Sequence, residues 1–207
     1  MSLKTTILLS CALFFYLNSI AQDKAYFNQT ELGFLYGKGS EQWDGSKENR
    51  IDVSFITFHG VRITKNHVIG FSTGLDQYNQ LSIIPLALGW RGFLGKTGKP
   101  NVFAGLDIGG GSALLEKKEE NEWSKSWYEG GYLVSPSFGA SFPAKKGKSA
   151  LTLSFAYKRQ QISQFVGTFL PPGSPSIPTD LLPPGFSTFT ENDFLFRSFV
   201  FRAGLLF

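Results

Sequence analysis

The sequence predicts an all-β protein, an eight-stranded antiparallel up-and-down transmembrane β-barrel. Three observations carry this expectation: eight segments in which apolar residues alternate with small or polar ones, connections that are by turns short and long, and an apolar N-terminal segment of export type.

The N-terminus reads Met1-Ser2-Leu3-Lys4, then an apolar run from Ile7 to Leu17, then Asn18-Ser19-Ile20-Ala21. The run is shorter than the about 20 apolar residues a membrane helix needs. Ser19 and Ala21 stand at −3 and −1 of a small-residue cleavage site. Residues 1–21 are therefore expected to be a cleaved signal peptide and residues 22–207 a single β-barrel domain. Leu8-Leu9-Ser10-Cys11 matches a lipoprotein signal box by chance, because acylation at Cys11 would leave an apolar mature terminus from Ala12 to Leu17. Cys11 is the only cysteine of the chain, so the mature part has no disulfide, no thiol chemistry and no cysteine-based zinc site.

Composition agrees with a wall that faces lipid. Charged residues make up 17 % of the chain against about 25 % in an ordinary soluble domain. Aromatic residues reach 15 %, with 21 phenylalanines.

The eight segments are 28–37, 50–63, 67–76, 81–94, 101–113, 129–142, 149–160 and 194–207. Each is near or above the 9 to 11 residues of a tilted membrane strand; ten residues tilted by about 40° rise about 25 Å, the height of the apolar band in such barrels. The second segment sets Ile51, Val53, Phe55, Val61 and Ile63 on one face and Arg50, Asp52, Ser54, Gly60 and Arg62 on the other. A charged, small face recurs in nearly every segment. Glu31, Asp52, Arg62, Arg91, Asp107, Lys158 and Arg202 all oppose the apolar faces, interleaved with Gly33, Gly70, Gly74, Gly89, Gly105 and Gly204. An eight-stranded barrel has just room for side chains to fill its interior, and buried charges persist when they pair. The seven charges are expected to form a mutually neutralising interior network. Pro85 and Pro136 fall inside segments, where each marks either a bulge or a later strand start.

Connections alternate in length. Lys65-Asn66 reads as a two-residue hairpin turn, and Gly95-Lys96-Thr97-Gly98-Lys99-Pro100 and Pro143-Ala144-Lys145-Lys146-Gly147-Lys148 are also short and basic. Between them stand the connections 38–49, 77–80, 114–128 and 161–193, three of them long and mixed or acidic in charge. Short periplasmic turns and longer outer loops give this alternation, with both termini periplasmic. The lysines of the short turns suit anionic headgroups on that side. They form no stripe interleaved with aromatics, so no nucleic-acid partner is expected.

The last segment alternates Phe199, Phe201, Ala203, Leu205 and Phe207 with Val200, Arg202, Gly204 and Leu206. With this ending the chain resembles the small eight-stranded bacterial outer-membrane β-barrel proteins, whose final strand ends in an aromatic residue preceded by apolar residues at alternate positions. The layout is that of OmpX, the OmpA barrel and OmpW, over the whole mature chain and without identifying a subfamily. The resemblance implies a porin-like protein of the Gram-negative outer membrane. It also implies that Phe199, Phe201, Leu205 and Phe207 form the signal read by the barrel-assembly machinery.

Barrels of this size include structural and adhesive proteins, conduits for small ligands and lipid-modifying enzymes. The enzymes need a nucleophile beside a base. His59 and His67 are the only histidines, and neither shows the His-x-Ser pairing of the lipid A deacylases. Both lie on the outward phase near the periplasmic end and read as interfacial residues. Gly109-Gly110-Gly111-Ser112 is no phosphate loop, since no Lys-Ser or Lys-Thr follows it; it reads as a strand end or bulge. The stretch 165–189 holds Phe169-Leu170-Pro171-Pro172-Gly173 and Leu181-Leu182-Pro183-Pro184-Gly185-Phe186, which cannot form helix and are too apolar for a solvated linker. Such a loop caps the mouth, lies on lipid or meets a partner.

The expectation is a non-enzymatic integral barrel with a structural or surface-interaction role, in contact with outer-membrane lipid and presenting loops 38–49, 114–128 and 161–193, the last to an extracellular or surface partner. It uses no cofactor and no metal. The alternatives are a conduit for small apolar molecules and, third, a lipid-modifying enzyme. A closed barrel resists detergent, so unboiled protein should migrate apart from boiled protein on a denaturing gel. Identical migration before and after boiling would refute the barrel.

Overall fold

The computed structural model describes residues 26–41, 47–78, 81–95, 99–116, 118–145, 149–170 and 182–207, with only the backbone described for residues 40, 41, 47 and 48. The expected signal segment, its cleavage point before Gln22, Lys96, Lys146, Lys148 and the stretch 171–181 lie outside these residues.

Nine strands follow one another: β1 Tyr26–Glu41, β2 Lys47–Arg62, β3 His67–Tyr78, β4 Leu81–Leu94, β5 Asn101–Ser112, β6 Glu119–Glu120, β7 Ser124–Pro143, β8 Ala150–Phe169 and β9 Phe186–Leu206. Eight of them form an antiparallel ring. The order runs β5-β4-β3-β2-β1-β9-β8-β7, and β5 pairs with β7 to close it. The two-residue β6 adds only to β7, outside the ring. At the β1–β9 seam the pairing runs from Gln29 opposite Leu206 to Gly37 opposite Ser198, and Asn28 and Phe207 exchange reciprocal backbone bonds of 3.2 and 2.8 Å. The fold class read from the sequence is the one observed.

Inner and outer faces follow the parity of each strand. On β1, Leu32, Phe34 and Tyr36 are exposed while Glu31, Gly33, Leu35 and Gly37 are buried. Leu88, Ile51 and Leu94 expose 75, 72 and 70 % of their surface. A protein that turns its leucines and phenylalanines outward all round has the polarity of a barrel immersed in lipid.

Glycine is required where the seam backbones run closest. A β-carbon on Gly33 would lie 2.0 Å from the carbonyl oxygen of Phe201, and one on Gly204 would lie 2.0 Å from that of Thr30. No side chain fits there without parting the strands.

Several local expectations are corrected. The strands on one side are much longer than their membrane spans: β7, β8 and β9 hold 20, 20 and 21 residues, whereas β3 and β5 hold 12 each. The connections drawn at 114–128 and 161–193 therefore contain strand over Ser124–Tyr128, Gln161–Phe169 and Phe186–Asp193. The β2–β3 connection is a four-residue loop, 63–66, rather than two residues, with Ile63 and Thr64 N–H both donating to the His67 carbonyl (3.0 and 3.3 Å). The Thr64 hydroxyl shapes it by accepting from the backbone of Asn66 and His67 (3.2 and 3.1 Å).

Pro85 and Pro136 mark neither a bulge nor a later start. Pro85 pairs opposite Gly111, and on its other side the β3–β4 ladder skips between Thr73–Leu86 and Asp76–Ile83 without changing register. Pro136 pairs opposite Leu106, and the β7–β8 ladder skips from Val134–Arg159 to Ser137–Ala156 in the same way. Each proline lacks one N–H, so one ladder is interrupted and the other kept. The bulge on β7 lies instead between Gly130 and Leu133. Gly109, Gly110, Gly111 and Ser112 form the end of β5. At the start of β9, Pro183-Pro184-Gly185-Phe186 makes a tight turn, with Gly185 at φ +89° and Phe186 N–H donating to the Pro183 carbonyl (3.3 Å). Proline followed by a positive-φ glycine is the pairing a type II turn selects.

The seam predicts its own sensitivity. Gly33→Ala or Gly204→Ala should destabilise the refolded barrel by about 1–3 kcal/mol, as overpacking does, read as a lower urea midpoint in the gel-shift assay. A midpoint equal to wild type would contradict the close approach.

Candidate functional site: the lumen and the outer face

The interior is built in layers. Nearest the short turns, Phe27, Phe58, Phe93 and Phe103 pack with Val68, Ala150 and Leu206. Phe27 meets Phe58 and Phe93 at centroid distances of 5.8 and 5.6 Å, and Phe93 meets Phe103 at 5.6 Å. Toward the long loops, Leu35, Tyr78, Leu81, Ile83, Ala156, Ile162 and Val200 form a second apolar layer, with Phe196 and Tyr128 against it. Between and beside these layers lie the charges.

Arg91 and Asp107 form a two-pronged pair, Nη1 to Oδ1 at 2.9 Å and Nη2 to Oδ2 at 3.0 Å. Their side chains are 5 and 7 % exposed. Ser72 donates a further bond to Asp107 Oδ1 (2.7 Å), and the Arg91 guanidinium lies 4.3 Å from the centre of the Phe58 ring. Lys158 is bonded to Asp76, both fully enclosed. Arg50 is paired with Asp52, donates to Ser198 Oγ (2.8 Å) and lies over the rings of Tyr78 and Phe196. Glu31 accepts from Thr152 Oγ1 at 3.1 Å. Arg202 is buried on the inner face beside it, across the seam.

Of the seven interior charges read from the sequence, six are buried in the lumen: Glu31, Asp52, Arg91, Asp107, Lys158 and Arg202. Among them Arg91 and Asp107 are bonded to each other. Arg62 stands apart at the turn end, half buried over the rings of Phe27 and Phe93 at 5.1 and 5.7 Å. The partners of Lys158 and Asp52 were missed. Asp76 shares the parity of Gly70 and Gly74 at the end of its segment, which is its signal in the sequence; Arg50 shares the charged face of Asp52 and Arg62. Counting these two, the enclosed charges among the described residues are Glu31, Asp52, Asp76 and Asp107 against Arg50, Arg91, Lys158 and Arg202. Among the described residues, four enclosed acids thus stand against four enclosed bases. A void of about 10 Å³ lined by Ser72, Asp107, Lys158 and Arg202 lies among them, room for one water molecule.

The histidines lie on the outer face near the turns. His67 stacks on Trp90 at 5.8 Å and accepts from its indole N–H (3.3 Å). His59 has richer company: Tyr26 Oη lies 2.7 Å from its Nδ1 and Thr57 Oγ1 lies 3.1 Å from its Nε2. Asn28 and Thr30 complete this outward polar cluster. Thr57-x-His59 does not match a His-x-Ser pattern in sequence. Hydroxyl, imidazole and phenol in line are the parts of a nucleophile and its base, although Thr57 also bonds Asn28 and Thr30.

No family model matches the chain, and no curated protein matches it in sequence. Solved structures similar to it include these two. One is the outer membrane protein AlkL, determined by solid-state NMR in lipid bilayers, at 10 % identity over 89 % of this chain and 90 % of that one, with a TM-score of 0.42. The other is the translocator domain of the autotransporter NalP from Neisseria meningitidis, at 8 % identity over 99 % and 97 %, with a TM-score of 0.27.

The Arg91–Asp107 pair yields a sharp expectation. Asp107→Ala should cost about 3–5 kcal/mol, because it leaves a buried guanidinium unpaired, whereas Arg91→Met with Asp107→Leu should recover most of that loss. Urea unfolding of the two variants beside wild type checks both statements; equal loss in the single and double variants would mean that the pair is not what Asp107 contributes.

Proposed function

We propose that this chain is a non-enzymatic integral barrel of a Gram-negative outer membrane, with a structural or surface-interaction role. The filled lumen carries the reading. Two apolar layers and a neutralised set of enclosed charges occupy the space a permeant molecule would need. With the short basic turns and both ends of the ring periplasmic, the tall edge formed by β7, β8 and β9 rises on the outer side. Phe199, Phe201, Leu205 and Phe207 then serve as the assembly signal.

That tall edge is where a surface partner would bind, through the region 161–193. On its outward face Trp127 stacks on Phe165 at 5.3 Å, Phe165 lies 5.7 Å from Phe189, and Phe169 stacks on Phe186 at 5.1 Å. Contiguous aromatic surface beyond the apolar band is characteristic of interaction sites.

One observation favours the second reading, a conduit for small apolar molecules. Where β5 ends at Ser112 and β7 continues past it, a cavity of about 330 Å³ opens among Gly111, Ala113, Leu114, Trp127, Tyr128 and Gly130. Its size suits a small ligand. The paired Thr57 and His59 keep a lipid-modifying enzyme third.

The refolded protein in a planar lipid bilayer should show no stable current at ordinary voltages, because the ion pairs and both apolar layers block the path. A steady unitary conductance would overturn the filled-barrel reading.

A further inference from the structure

The register places three cations side by side on the outer wall. Arg159 on β8 sits directly opposite Arg197 on β9. One residue beyond the pair Gly37–Ser198, Lys38 on β1 flanks Arg197 from the other side. All three are exposed and follow the outward parity of their strands. With strands about 4.8 Å apart, the row spans about 10 Å. Like charges directly opposite in a sheet repel and destabilise it. Among the described residues no carboxylate is paired with any of the three.

What lies below the row identifies what neutralises it. Two residues down, the same strands carry Tyr36, Phe199 and Tyr157 in register, with Tyr157 and Phe199 at 5.4 Å. Two further down come Phe34, Phe201 and Phe155, then Leu32, Ala203 and Leu153. The wall thus passes from aliphatic to phenylalanine to tyrosine to cation in steps of about 5 Å along the barrel axis. Tyrosine marks the depth of lipid headgroups, and a cation row one step above it is at the depth of their phosphates.

We infer that Lys38, Arg197 and Arg159 form a binding site for the phosphate of an anionic membrane lipid in the leaflet on the long-loop side. Two guanidiniums at one strand spacing offer a planar fork to one phosphate, with Lys38 adding a third charge. The lipid converts a repulsive sheet contact into a stabilised one. The inference rests on the barrel spanning a membrane. Protein that shows the gel shift but no lipid preference would overturn the site alone.

Native mass spectrometry of the refolded protein, titrated in detergent with phosphatidylglycerol or phosphatidylcholine, tests it. Wild type should retain one phosphatidylglycerol at about 30-fold lower concentration than R159Q/R197Q, at about 1 kcal/mol per charge removed. R159K/R197K, which keeps the charge and loses the fork, should fall between wild type and R159Q/R197Q. K99Q/K145Q, altered at the short-turn end, should match wild type, and phosphatidylcholine should bind all variants alike. Equal retention by wild type and R159Q/R197Q refutes the site; so does loss of the bound lipid to millimolar inorganic phosphate, which would make it a free-anion site. In parallel, R197Q should raise the gel transition temperature in phosphatidylcholine vesicles, where the repulsion is unrelieved, and not in vesicles containing phosphatidylglycerol. The same rise in both would also refute it.

Discussion

Closure of the hydrogen-bonded ring governs this molecule. In hydrocarbon an unpaired backbone group costs several kcal/mol, so a strand wall survives only without an edge. The β1–β9 and β5–β7 ladders remove both edges. Closure at eight strands then sets the inner radius, and the radius decides what the inner face can hold. The small residues at the seam follow from the same demand: Gly33 and Gly204 stand where the two strands approach most closely.

A ring this narrow must be filled, and the filling is layered rather than uniform. Opposite charges in the lumen are paired where Arg91 meets Asp107 and Lys158 meets Asp76. Aromatic rings close the turn end, and the Arg62 guanidinium lies on them in a site too apolar for a hydrated ammonium group. Arg50 and Asp52 pair within β2 and Arg91 and Asp107 join the adjacent strands β4 and β5, whereas Lys158 on β8 reaches Asp76 on β3 across the lumen. The interior therefore ties opposite walls together.

Parity made most of the fold legible in the sequence, because lipid outside and a packed polar core inside impose strict alternation. It failed where that contrast ends. Past Ile162 the strict alternation of burial ends, with 163–166 all half-buried and 191–193 all exposed, so the strand over Gln161–Phe169 and Phe186–Asp193 carries no alternating signature and reads as loop. Phe27, Phe58, Phe93 and Phe103 are apolar on the inner phase, which reads as noise when the interior is taken to be polar throughout. Thr57-x-His59 was hidden for another reason: a threonine beside a histidine on a lipid-facing strand is ordinary in sequence and becomes notable only once Tyr26 arrives from the neighbouring strand. Pairings across the lumen, such as Asp76 with Lys158, depend on tilt and stagger that no single strand records.

The unequal strand lengths give the mouth of the barrel a slope. From the 12 residues of β3 and β5 to the 20 or 21 of β7, β8 and β9, the rim climbs by about 20 Å along the axis. The protein consequently has a front and a back within the plane of the membrane. A molecule drifting sideways through the headgroups meets a low sill over β3, β4 and β5, whereas one approaching from the other side meets a palisade of paired strands. Neighbours in a crowded membrane are thus distinguished by compass direction, before any side chain is read.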